Sequence, residues 1–344
     1  MFKNKMLRLV FIIVSSIFIV VIFLKEDIAG IPEYVSESNP YWLAGGFASM
    51  IAFWIIEAKV LHIFMGMERK LISFANMFKL IISTQFFNAI TPFSTGGQPF
   101  QIYILTKHHN MRGGRVTSAS VQNLVSYQVA LVTYGVIAIV MQFLHTDLIF
   151  SSFSNSLIVV GFTLNTIVVV FLLVLSNNKR AIKFISSKAF KILVRLRFVK
   201  NKEKAKEKLL KYLSDFSEHS EDIWKNKGLF LYTIILHMLK LSAFYAVTFF
   251  ISKALGLSGI TITKALLVGA YTMMFTSLIP IPGAGIGAEF GFLAFFGPVI
   301  VGPKAVAIML VWRCMTYYIG LIAGFLTYNV GYKEHSLDIK TLET

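Results

Sequence analysis

The two residues best placed to do chemistry in this chain are an acid, Glu289, and a base, Arg313, both inside strongly apolar stretches. An ionisable side chain in such a stretch is costly to bury and is expected to face a cavity or a partner of opposite charge. Glu289 closes a run broken by proline and glycine, Pro280-Ile281-Pro282-Gly283-Ala284-Gly285-Ile286-Gly287-Ala288-Glu289, and Arg313 stands about ten residues into the last apolar run. An ion pair between them lowers the cost of burying either charge. Such a pair has two uses: it pins the broken segment to the last span, or it meets a charged group brought in from outside. The glycines suit the second use. A half-helix beginning among Gly283, Gly285 and Gly287 presents unpaired N–H groups and a positive dipole end to an anion such as a phosphate. Glycine allows that anion to come close, and Pro280 and Pro282 stiffen the chain ahead of it. A merely tight, packed turn would use the same residues.

A matching break lies far upstream, Thr91-Pro92-Phe93-Ser94-Thr95-Gly96-Gly97-Gln98-Pro99. Here Gly96, Gly97, Gln98 and Gln101 provide neutral donors and acceptors where a second charged pair would stand. Asn123, Tyr127 and Tyr134 recur at helical spacing, with Gln122 and Ser126 beside them. That polar face either lines an interior or makes interhelical hydrogen bonds. His237 and Lys240 lie one turn apart in another apolar run, where Lys240 either snorkels or meets a phosphate. Glu57, Lys59 and His62 fall near the end of a span and are expected at its interface with water.

Other chemistry is poorly provided for. There is no His-Glu-x-x-His, no Gly-x-Ser-x-Gly, no Walker loop and no cluster of carboxylates, so neither a metal centre nor a cofactor site is expected. Gly283-x-Gly285-x-x-Ala288 matches a dinucleotide-binding pattern, but no soluble βαβ unit surrounds it. Cys314 is the only cysteine, which excludes an intrachain disulfide.

These residues must be positioned by membrane-spanning helices. Of 344 residues, 56% are hydrophobic and 15% charged, and the mean hydropathy is +0.69. Runs able to cross a ~30 Å hydrocarbon core are read at Met6 to Leu24, Tyr41 to Met65, Val116 to Leu144, Ser156 to Leu175, Leu229 to Leu255 and Lys304 to Tyr328. The first is too long for a signal-peptide core and is read as an anchor that stays. The fold class expected is therefore all-α: a polytopic membrane protein with six full spans.

The positive-inside rule puts Lys3, Lys5, Arg8, Arg69, Lys70, Lys107, Arg112 and Arg115 in the cytoplasm, with both termini. For Arg69 and Lys107 to share a side, residues 74–105 must enter the membrane and return, bent at Thr91 to Pro99. By the same count 261–301 enters from outside and bends at Pro280 to Gly287. Each half, 1–150 and 151–344, then holds three full spans and one re-entrant hairpin, and the second is inverted relative to the first. Irregular backbone is tolerated in lipid only where it is buried in protein or lines a wet cavity, and paired breaks in two halves point to a midplane substrate site.

The net charge is +16, of which +9 lies in the loop 176–227, with 15 Lys/Arg against 6 Asp/Glu. Beside membrane spans such a loop faces anionic lipid rather than nucleic acid. Within it, Lys179 to Lys211 interleaves basic and apolar residues, as an amphipathic helix on the inner leaflet does, or a solvated helical linker.

The residues resemble the transmembrane domain of the lysylphosphatidylglycerol synthase/flippase family, known also through the multiple peptide resistance factor. The resemblance rests on Asn88-Ala-Ile-Thr-Pro-Phe-Ser-Thr-Gly-Gly-Gln-Pro-Phe-Gln-Ile-Tyr-Ile-Leu105, on Pro280 to Glu289, and on Arg313 with Tyr317 and Gly320. Family members commonly carry Gly-Glu followed by an Arg at the first motif, where this chain has Gln98 and Gln101. In full-length members a soluble acyltransferase-like domain uses lysyl-tRNA to modify phosphatidylglycerol. This chain ends about 16 residues after its last run. Lysyl transfer by this chain alone is therefore not expected, although the family name would label it a phosphatidylglycerol lysyltransferase.

What the resemblance implies is translocation in a bacterial cytoplasmic membrane. A phospholipid such as phosphatidylglycerol or lysyl-phosphatidylglycerol, or a polyprenyl-phosphate lipid, would pass between leaflets, with antimicrobial peptide resistance as a consequence. The alternative is a membrane subunit that presents lipid to a separate lipid-modifying enzyme, a synthase or glycosyltransferase. Headgroup, coupling ion and assembly as a monomer or homo-oligomer are left open.

Overall fold

The computed structural model describes residues 36–144, 150–177, 202–281, 285–300 and 303–332, together with 184, 187 and 188. The expected first span at Met6 to Leu24, most of the amphipathic stretch from Lys179, and Gly283 lie outside the described residues. Among the described residues there is no strand, and five helices are long and apolar enough to cross a membrane. They are Pro40–Phe64, Gly113–Leu144, Ser152–Val174, Lys227–Ala254 and Lys304–Gly331, five of the six expected spans. The protein is an all-α polytopic membrane protein.

Helix starts follow local chemistry. α1 (Pro40–Phe64) opens with Asn39 accepting the Tyr41 N–H at 3.0 Å and with Pro40 in the first turn, where a missing N–H breaks no bond. Ser73 caps α2 (Phe74–Ala89) through the Asn76 N–H. A short 3₁₀ turn, Pro92–Ser94, separates α2 from α3 (Gly97–Lys107), so the first expected break is real. α4 (Gly113–Leu144) and α5 (Ser152–Asn177) follow, then the polar helix α6 (Lys202–Lys225). Asn226 caps α7 (Lys227–Ala254), and Thr261 caps α8 (Ile262–Thr276). After the second break come α9 (Gly285–Phe296), α10 (Pro303–Arg313), a π turn at Cys314–Tyr318, and α11 (Ile319–Gly331).

Both broken segments are antiparallel hairpins. Phe87 stacks on Phe100 across α2 and α3, with ring centroids 4.0 Å apart. Tyr271 and Phe275 of α8 meet Phe295 and Phe290 of α9. The halves exchange partners: α2 packs on α11 of the second half, and α8 packs on α4 of the first, while α1 and α7 lie side by side. Glycine makes both exchanges close. A Cβ on Gly324 would stand 2.6 Å from the Phe86 nitrogen, and one on Gly135 would stand 2.5 Å from the Met274 sulfur.

One end of the bundle carries an ionic collar. Arg112 Nε is 3.1 Å from Glu68 Oε1 and its Nη1 is 3.8 Å from Asp215, while Arg115 Nη2 is 2.7 Å from Glu218. The hydroxyls of Thr117 and Tyr212 also meet there. These contacts dock α6, which overlaps the end of the expected amphipathic stretch, on the start of α4, with Phe216, His219 and Ile223 buried.

Candidate functional site

The bundle holds a partly open cavity of about 580 Å³, and its lining runs from one helix break to the other. Ser94, Thr95 and Gln98 come from the first break, and Leu278, Ile279 and Ala288 from the second. Gln101, Asn123, Tyr127, Lys240 and Arg313 also line it, so six of the expected site residues share one space.

The expected pair forms. Arg313 Nε donates to Glu289 Oε1 at 2.6 Å, with both side chains about nine-tenths buried. The Arg313 guanidinium lies 4.7 Å from the centre of the Tyr317 ring, and the Tyr317 hydroxyl donates to the Ala89 carbonyl at 3.2 Å. A chain of contacts therefore runs from Glu289 on the second hairpin, through the last span, to the end of α2 on the first. Arg313 and Tyr317, four positions apart, share the face toward the cavity, and a π turn at Cys314–Tyr318 follows Arg313, a distortion that recurs at functional sites.

A second ion pair was not expected. Lys240 Nζ is 2.5 Å from Glu57 Oε2, joining α7 to α1. Asn123 Nδ2 donates to Glu57 Oε1 at 3.0 Å, which turns Asn123 Oδ1 to His237 Nε2 at 3.1 Å. The amide can only accept at that oxygen, so the imidazole donates from Nε2. Lys240 also lies over the Tyr127 ring at 4.3 Å. Glu57 is thus not interfacial, and Lys240 is not snorkelled: each is the other's partner. Lys240 sits in the middle of a 28-residue helix, roughly 20 Å from its start at 1.5 Å per residue. By contrast Lys59 is exposed, and the His62 ring meets the Ile72 carbonyl at 3.2 Å.

The glycines of the first break serve the turn. The Gly96 N–H donates to Thr91 Oγ1 at 2.8 Å and the Gly97 N–H to Asn88 Oδ1 at 2.9 Å. Those two N–H groups are therefore satisfied inside the hairpin, and of the four expected residues here Gln98 and Gln101 line the cavity. A Cβ on Gly97 would come within 2.3 Å of Asn88 Oδ1, which is why the position requires glycine. Phe93 and Ser94 both take left-handed backbone angles, φ 53° and 52°, at roughly 1–2 kcal/mol each. At the second break Gly285 opens α9, and Gly287 is buried, its missing Cβ leaving room for the Ile279 side chain.

Two residues that sequence reasoning passed over brace the breaks. Asn88 does so at the first. At the second, Asn165 of α5 donates to the Met274 carbonyl at 2.9 Å and accepts from Ser277 at 3.2 Å. The signal was present in both cases, since each is an amide in an apolar run, Asn165 standing alone and Asn88 three residues after Gln85.

A profile of the family described as "Lysylphosphatidylglycerol synthase TM region" matches residues 6–324. No curated protein and no solved structure gives a significant match.

Proposed function

The chain belongs to the lysylphosphatidylglycerol synthase transmembrane family, and from that premise we propose that it is a lipid translocase, passing the headgroup of an anionic lipid between leaflets through its central cavity. The observation that carries this reading is the cavity itself. It sets polar and charged side chains among apolar ones, it lies among membrane-spanning helices, and it is bordered by both helix breaks and both buried ion pairs. A volume of about 580 Å³ lies within the range of small-molecule sites, roughly 300–1,000 Å³. It suits a phosphoglycerol headgroup, while the acyl chains stay in the bilayer.

In this reading the ionic collar of Arg112 and Arg115 faces the cytoplasm of a bacterial cell, following the positive-inside rule. The two hairpins are re-entrant, and the halves are inverted repeats. Rocking of one half against the other opens the cavity to each leaflet in turn. Arg313 is the headgroup contact, by a planar fork suited to phosphate oxygens. Glu289 occupies Arg313 when no lipid is present. Gln98 and Gln101 hydrogen-bond the glycerol.

The test is translocation in liposomes containing the purified protein. Labelled phosphatidylglycerol, lysyl-phosphatidylglycerol and a polyprenyl phosphate are each scored by protection from an external quencher. Flipping of one lipid class by the wild type, lost in a folded Arg313→Ala variant, is expected. Flipping no faster than in protein-free liposomes would overturn the proposal.

A further inference from the structure

We propose that headgroup binding takes up one proton, held by Glu289, so that an anionic phosphodiester and a proton occupy the site together. The inference rests on the translocase reading and names how the same site is driven.

The argument begins with charge. The charged residues lining the cavity, among those described, are Glu57, Lys240 and Arg313, and Glu289 stands behind Arg313. Two acids and two bases leave the site neutral. A phosphodiester adds one negative charge, which a low-dielectric interior does not accept uncompensated. Either an acid must take a proton, or a further cation must enter.

The two acids are not equivalent. Glu57 has a donor on each oxygen, Lys240 on Oε2 and Asn123 on Oε1. Both bonds favour the carboxylate form. Glu289 has Arg313 on Oε1, while its Oε2 is buried and meets no donor among the described residues. A phosphate oxygen that takes over the Arg313 N–H displaces a single bond from Glu289. A proton arriving from water then bonds to the freed carboxylate, and the site stays neutral, with one phosphodiester added and one proton added. The same exchange at Glu57 would break two bonds and strand Lys240.

The other titratable or charged groups on the elements around Glu289 are few. α8 carries Lys264, half-buried at its start, and Tyr271, whose hydroxyl donates to Gln142. The last span carries Lys304, Arg313, Cys314 and the phenols of Tyr317, Tyr318 and Tyr328. α5 has none. Arg313 is the one that contacts the Glu289 carboxylate.

The experiment is calorimetric titration of the detergent-solubilised protein with short-chain phosphatidylglycerol, in buffers of different ionisation heat and across pH. The phosphodiester does not titrate near neutrality, so any proton uptake comes from the protein. The wild type is expected to take up about one proton per lipid, and its affinity to fall about tenfold per pH unit above the Glu289 titration. Glu289→Gln, with Arg313 no longer occupied by a carboxylate, is expected to bind more tightly, take up no proton and show no pH dependence. Lipid binding by the wild type without proton uptake would overturn the proposal and leave the translocase reading standing. That wild-type proton count decides even if the variant does not fold. Absence of lipid binding would bring down both. Glycerophosphoglycerol, the same diester without acyl chains, is expected to bind at least tenfold more weakly. Equal binding would overturn the assignment to a membrane lipid.

Discussion

Glu57 and Lys240 stand 183 positions apart in sequence, yet their charged atoms lie 2.5 Å apart between α1 and α7. This contact bolts together the two spans at the centre of the bundle, and it is cross-braced by Asn123 from α4 and, through Asn123, by His237. Placing one charge in this interior without the other would be prohibitive, so the pair forms as a unit with the helix packing. It holds Lys240 at the cavity wall in a pair with Glu57, which under the proposed function leaves Arg313 as the headgroup contact.

Breaking that pair from one side is expected to be severe. Lys240→Met strands the Glu57 carboxylate, and Glu57→Gln strands the Lys240 ammonium, at about 3–5 kcal/mol each by analogy with other buried pairs. The double variant Glu57→Gln, Lys240→Met removes both charges and is expected to unfold at a higher temperature than either single variant. Thermal unfolding of the detergent-purified proteins gives the order. A double variant as unstable as the two losses added together would show that the residues act independently.

Glycines at the crossed helix contacts differ in what a methyl group would strike. On Gly324 it meets backbone atoms, the Phe86 nitrogen at 2.6 Å and the Ile82 carbonyl at 2.8 Å, so α11 and α2 must separate. On Gly135 it meets the Met274 side chain, which can swing aside. On Gly331 there is nothing within 4 Å. Gly324→Ala is expected to cost about 1–3 kcal/mol, Gly135→Ala less, and Gly331→Ala nothing by packing. The measurement is the fraction of each variant that elutes as a single folded species after heating. A Gly324→Ala variant as stable as Gly331→Ala would contradict the close packing of α2 on α11.

The helix breaks were legible because proline and glycine have few other uses in an apolar run, and the Glu289–Arg313 pair because each is an isolated charge needing a partner. Glu57 was misplaced for the opposite reason. Its neighbours Lys59 and His62 are polar, so local sequence reads as an interface, whereas helical rotation turns Lys59 outward and Glu57 toward α7. Asn88 and the N–H groups of Gly96 and Gly97 illustrate a further limit. Gly96 and Gly97 read as donors facing the site because sequence does not reveal that a hairpin satisfies its own N–H groups.

At the ionic collar, docking of α6 is expected to weaken in acid. Burial, aided by the nearby Arg115 cation, holds the His219 imidazole below its ordinary value of 6.5. A depressed histidine stays neutral when docked but binds a proton once released. Docking is therefore at full strength above about pH 6.5 and is lost progressively as pH falls below it. Hydrogen exchange of α6 amides at pH 7.5 and 5.5, corrected for intrinsic rates, is expected to show faster opening at the lower pH. His219→Gln is expected to flatten that difference. An unchanged pH response in the variant would show that His219 is not its cause.

Arg313 supplies the sharpest test of headgroup recognition, because lysine keeps its charge and loses its shape. The guanidinium donates from Nε to Glu289 at the cavity wall, with its centre close to the Tyr317 ring. A lysine ammonium reaches neither the same plane nor two phosphate oxygens at once. If Arg313 served only to neutralise Glu289 and pin the hairpin, Arg313→Lys would retain most activity. If it grips a phosphodiester through two N–H groups, losing one charge-assisted bond of about 1.5–3 kcal/mol lowers the initial flipping rate about tenfold to a hundredfold. Tyr317→Phe separates the two roles further, since it keeps the ring beside the guanidinium and removes only the bond to the Ala89 carbonyl. It is expected to lower thermal stability by about 1 kcal/mol with little change in flipping, so a rate loss in Tyr317→Phe matching that of Arg313→Lys would favour the pinning role.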